Sequence, residues 1–149
     1  MLLSNEYRQK NGSYLIEDPA SLYNIKWSGV DLFFTEKGSE STGAWGNDYL
    51  EMTGDFRISY KVPPIVQGRY RVYLGAEAFN TKNALVEVYI DGKKISSIVD
   101  LTQGGSANNP FNAKLLGTID LKKYDSHVVE VVSLIPGRFL WDYVRFEPI

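Results

Sequence analysis

The chain has 149 residues and a formal charge of −2. Hydrophobic residues make up 44% and charged residues 23%, ordinary proportions for one folded domain and too apolar for wholesale disorder. With no cysteine and one histidine, disulfides, thiolate metal centres, cysteine nucleophiles and any site needing two imidazoles are excluded, and the charge balance gives no support to nucleic-acid binding.

The opening MLLSNEYRQKNG has no apolar signal-peptide core, and no stretch reads as a membrane-spanning helix, so direct membrane insertion is not expected. Asp18-Pro19-Ala20-Ser21-Leu22-Tyr23 carries the one helical signal, with Asp as N-cap and Pro at the first helical position. Elsewhere the period is two. Lys26–Thr35 and Tyr49–Thr53 read as strands. In Asp55–Val62, Phe56, Ile58, Tyr60 and Val62 share one face and Asp55, Arg57, Ser59 and Lys61 the other, the pattern of a half-buried strand. Pro63-Pro64 stops it, Gln67-Gly68 turns the chain, and Arg69–Ala76 repeats the pattern with Tyr70, Val72, Leu74 and Ala76 inward.

Leu85–Ile90 points Val86, Val88 and Ile90 one way and runs into Asp91-Gly92, a type I′ hairpin signal. Lys93–Leu101 is expected to return as its partner. A long polar loop, Thr102–Ala113, follows, and then strands at Lys114–Asp120, His127–Ile135 and Phe139–Glu147. This makes about eight strands at sandwich-like spacing without βαβ alternation. The expected fold is all-β: a single domain over 1–149, whole or cut from a longer protein, built as an antiparallel β-sandwich of jelly-roll type, with a barrel as the alternative.

Little here marks catalysis. No G-x-S-x-G elbow accompanies the single His127, which reads as a surface or strand-end histidine. Glu77 reads as a solvated loop acid with no second carboxylate marked by spacing. Phosphate-loop and EF-hand patterns are absent. The chain is therefore not expected to be an enzyme or to carry a cofactor. Asp142 is the exception worth following: period two places it on the face of Leu140, Val144 and Phe146. A carboxylate there needs a cation, backbone N–H groups or a metal, which makes it a candidate structural calcium ligand or loop clamp. The alternative is a sheet-rim position, or a bulge that turns it to solvent.

The chain holds 10 Tyr, 7 Phe and 3 Trp. Trp27, Phe33, Phe34, Phe56, Tyr60, Tyr70, Tyr89 and Phe146 fall where strands pack. Trp45, Phe79 and Phe111 stand in loop context. A ring beside amides and carboxylates suits a sugar, which offers apolar C–H faces and a rim of hydroxyls.

Gly68-Arg69-Tyr70-Arg71-Val72-Tyr73-Leu74-Gly75, the Val86–Lys94 hairpin and the closing Trp141-Asp142-Tyr143-Val144-Arg145-Phe146-Glu147-Pro148 resemble the corresponding strands of galactose-binding-like jelly rolls. That fold is shared with carbohydrate-binding modules of families six and thirty-five. With Asp18–Tyr23 and Gly54–Pro64, the whole chain is more similar to the jelly-roll domain that follows fasciclin domains in Bacteroidetes cell-surface lipoproteins. In two respects it departs from the sugar-binding families. Phe139-Leu140 occupy the region where those families often carry an Asn, and their acidic calcium-binding opening is not recognisable.

The resemblance implies an extracytoplasmic, cell-surface binding module. Its expected partner is a glycan or cell-surface polysaccharide. Trp45 and Phe79 would stack on it, and Asn47, Asp48, Asn80 and Asn83 would hydrogen-bond to it. The alternative is a structural or adhesive module making protein contacts beside a fasciclin-like domain.

Overall fold

In the computed structural model, residues 14–17, 25–36, 48–62 and 64–149 are described. They form β1 (Tyr14–Glu17), β2 (Ile25–Ser28), β3 (Phe33–Glu36), β4 (Asp48–Gly54), β5 (Arg57–Lys61) and β6 (Gly68–Glu77). The later strands are β7 (Leu85–Ile90), β8 (Lys93–Lys94), β9 (Val99–Asp100), β10 (Phe111–Leu121), β11 (Val128–Ile135) and β12 (Gly137–Pro148). One sheet runs β10-β6-β12-β4-β3, with β1 also paired to β12. The other runs β2-β5-β11-β7-β8, with β9 also on β7. Every strand pair is antiparallel, and the two separate sheets make a sandwich rather than a closed barrel.

The alternation read from sequence explains the core. Phe56, Ile58, Tyr60 and Val62 are buried against Tyr70, Val72, Leu74 and Ala76, with Val86, Val88 and Ile90 beside them. Aromatic rings join the two sheets. Phe56 stacks on Phe139 at 5.2 Å between centroids, Phe139 packs on Trp141 at 5.9 Å, and Tyr60 meets Trp141 edge-on at 6.4 Å.

Four expectations are corrected. Lys26–Thr35 is not one strand: β2 lies in one sheet and β3 in the other. The chain crosses between them at Gly29, whose φ of +100° and close approach to the Asp55 carbonyl admit no side chain. The Asp91-Gly92 turn forms as expected, with φ of 51° and 80°, but its return strand is broken into β8 and β9. Phe33 does not pack in the core; it is 61% exposed. In β12, a bulge between Trp141 and Tyr143 shifts the register by one residue. Phe139 and Trp141 therefore join Val144 and Phe146 in the main core cluster, while Leu140, also buried, lies outside it. Asp142 sits in that bulge, buried at 3% exposure rather than turned to solvent. The expected helical turn at 18–23 and the side chains of Trp27 and Phe34 lie outside the described residues. Among the described residues no helix is long and apolar enough to cross a membrane.

Candidate functional site

The end of the sandwich where β6 stops and β12 starts is held together by a polar network. Glu77, the last residue of β6, receives two hydrogen bonds from the Arg138 guanidinium, the one from Nη2 at 3.1 Å. Asn83 lies between them, 4% exposed. Its Nδ2 donates to the carbonyls of Glu77 at 3.0 Å and Leu101 at 2.9 Å, and its Oδ1 accepts from Arg138 at 3.3 Å. The backbone follows the same path: Arg138 N–H donates to the Lys82 carbonyl and Ala84 N–H to the Arg138 carbonyl. Each buried polar group here has partners, as burial requires.

This network carries the Ala78–Ala84 loop. Asn80 Oδ1 accepts from Lys82 N–H at 2.9 Å, and Asn83 N–H donates to the Asn80 carbonyl, so the loop closes on itself. Alongside it, Ala78 N–H donates to the Pro110 carbonyl and Gly105 N–H to the Ala78 carbonyl, which ties down the long loop before β10. That loop is stapled further by Asn112 Nδ2 to the Gly104 carbonyl and Lys114 Nζ to the Gln103 carbonyl, each at 2.6 Å. The Thr102 hydroxyl, then the Thr102 N–H and Gln103 Nε2, donate to Asp100 and hold its carboxyl below the usual range.

Fixed in this way, the loop presents Phe79, 49% exposed, beside Asn80, Thr81 and Lys82 and opposite exposed Ser106–Asn109. Phe111 is not a loop residue; it opens β10 half-buried, its ring 5.4 Å from that of Tyr49 in β4. β4 runs alongside β6 in the same direction, so its Gly54 end, paired with Gly137, lies at this end of the sandwich.

Of the sequence-derived site residues, the structure brings Phe79 and Asn80 together on this loop. Asn83 is adjacent in sequence but faces inward, its amide bound inside the protein, and it acts as the clamp beneath the loop rather than a surface contact. Glu77 is likewise no solvated loop acid: its side chain is 12% exposed and ion-paired with Arg138. Asp48 opens β4, but its side chain, like Trp45 and Asn47, lies outside the described residues. Arg138 went unmarked in the sequence because its partner Glu77 is 61 positions away.

His127 is not freely exposed. Its Nδ1 lies 2.6 Å from Asp91 Oδ2, at the opposite end of the sandwich. The calcium suggested for Asp142 needs six to eight oxygen donors. Among the described residues no group of three or more His, Asp or Glu forms a metal cluster, so these donors alone do not fit it.

No family model matches the chain, and no curated protein matches it. Solved structures do. A family 35 carbohydrate binding module from Clostridium thermocellum superposes with a TM-score of 0.62 at 13% identity, over 92% of this chain and 98% of that one. A family 35 module from Paenibacillus barcinonensis gives 0.58 at 14%, over 89% and 94%. Paenibacillus xanthan lyase gives 0.68 at 12%, over 90% of this chain but only 13% of the lyase. At such identities the likeness shows the fold, a jelly-roll sandwich.

Proposed function

We propose that the chain is a non-catalytic glycan-binding module whose contact surface is the Phe79 end of the sandwich. The observation that carries this reading is the half-exposed Phe79 ring on a loop immobilised by the Glu77–Arg138–Asn83 network. A flat apolar face on a rigid support, flanked by amides and hydroxyls, suits a pyranose ring and loses little freedom on binding. Asn80 uses its Oδ1 within its own turn and keeps its Nδ2 donors for a sugar hydroxyl. Trp45, Asn47 and Asp48, taken from the sequence reading alone, are proposed as further sugar contacts. The fold shared with family 35 carbohydrate binding modules supports the reading by analogy.

An extracytoplasmic, cell-surface setting goes with a polysaccharide ligand. A structural calcium at Asp142 would take its other oxygen donors from backbone carbonyls and waters. The test is a glycan microarray probed with the wild-type chain and Phe79→Ala. Binding to at least one glycan, lost in the variant with an unchanged melting temperature, is the expected result. Equal binding by the two proteins overturns the assignment to Phe79.

A second reading, a protein contact such as one beside a fasciclin-like domain, is favoured by one feature. Ile98 and Leu115, both exposed, line one hollow between the sheet edges.

A further inference from the structure

At the end opposite Phe79 the two sheet edges diverge around a concave, lysine-rimmed hollow of about 680 Å³. Its walls come from β8 on one side and the end of β10 on the other. Lys93 pairs with Ile90, whose side chain is buried in the core, so the register puts Lys93 on the inner side of its sheet at the rim. Across the hollow, β10 ends at Leu121 and the chain continues into exposed Lys122 and Lys123. Ile95, Ile119 and Leu121 supply an apolar floor.

Two acids, Asp91 and Asp120, line the hollow with the lysines, and each has a partner. Asp91 accepts from Val128 N–H at 2.9 Å and holds His127 Nδ1. Asp120 faces Arg69 at 3.7 Å, Asp125 faces Lys123 at 3.6 Å, and Glu87 pairs with Lys94. Lys93 and Lys122 have no ion pair among the described residues. His127, whose side chain is 11% exposed, adds a buried Nε2 that has no hydrogen-bond partner among them either.

We propose that this hollow binds the anionic groups, carboxylate or sulfate, of an acidic polysaccharide, at a second site distinct from the Phe79 surface. Four ammonium groups, of Lys93, Lys94, Lys122 and Lys123, outnumber two carboxylates around this concave surface, in a chain whose net charge is negative. Lysine is a point donor that accepts either oxyanion geometry, where arginine would select a bidentate one. The apolar floor offers the C–H face of a sugar ring the same kind of contact as Phe79. That the polyanion is a polysaccharide rests on the glycan reading above; the preference for anions does not.

The test titrates the full chain, by backbone amide shifts, with polygalacturonate, dextran sulfate, neutral dextran and a poly-dT strand. The same titrations are run on a Lys93→Ala, Lys122→Ala, Lys123→Ala variant. The expected result is shifts at 91–95 and 118–127 with polygalacturonate, dextran sulfate or both, and none there with neutral dextran. The triple variant should weaken this binding about 10-fold or more, with unchanged melting. Response to one of the two polymers alone identifies carboxylate or sulfate as the group bound.

The inference falls if neither acidic polymer binds, if the shifts appear only at 78–83, or if poly-dT binds at 91–127 as tightly as the polysaccharides. None of these outcomes touches the Phe79 reading, which fails separately if no glycan shifts 78–83.

Discussion

The two ends of this sandwich hold their loops by different physics. At the Phe79 end the polar groups are buried and each serves several partners, Asn83 binding Glu77, Leu101 and Arg138 at once. At the Lys93 end the charges are mostly exposed and paired one to one, as in Lys94–Glu87 and Lys123–Asp125. Removing one member of a buried network leaves the others unsatisfied, whereas an exposed ion pair is screened and contributes little. The first end is therefore built for rigidity, and the second leaves charge available to a ligand.

Substitutions that break each end should differ in size. Gly137→Ala places a Cβ within 2.7 Å of the Lys82 carbonyl oxygen and 2.8 Å of Ala84 N, both backbone atoms that cannot move aside cheaply. It should cost about 3 kcal/mol in urea denaturation. Arg138→Ala strips the partner from the nearly buried Glu77 carboxylate and from Asn83 Oδ1, for a loss of about 2 kcal/mol. At the other end, Gly92→Ala meets no atom within 4 Å and bears only the strain of φ +80°. It should cost about 1 kcal/mol. A Gly92→Ala loss equal to that of Gly137→Ala would break the comparison.

Acid should loosen both ends slightly. Thr102 holds the Asp100 carboxyl below its ordinary value of 3.8, and the Ser126 N–H does the same for Asp125. With the folded-state pKa below the unfolded one, each contribution is complete above that ordinary value and is lost as the pH falls through the folded-state pKa. Amide exchange followed down to acid pH should show the 102–110 and 122–127 segments opening before the core strands. Simultaneous opening of loops and core would contradict this.

The strands were legible where each residue's neighbours are local. Val86, Val88 and Ile90 are buried as alternation requires, and the Asp91-Gly92 turn forms with both φ positive. Legibility failed where a single residue changes the phase or the sheet. The β12 bulge put Leu140 outside the main core cluster, though still buried, and Gly29 split one expected strand between two sheets. The clamp was invisible for a different reason. Asn83 and Glu77 look like loop residues, and partners far along the chain, Leu101 for Asn83 and Arg138 for both, make them structural. The lysine-rimmed hollow has the same origin, since Lys93 and Lys122 line it from two sheet edges that sequence spacing does not relate.

The central claim is that a rigid loop at the Phe79 end receives a sugar. It is tested most directly by amide chemical-shift mapping during titration with a glycan retained by the wild-type chain. The account expects saturable shifts concentrated at 78–83 and 105–111, abolished in Phe79→Ala while the rest of the spectrum is preserved. Saturable shifts confined to any other face of the sandwich, with 78–83 unmoved, would contradict it.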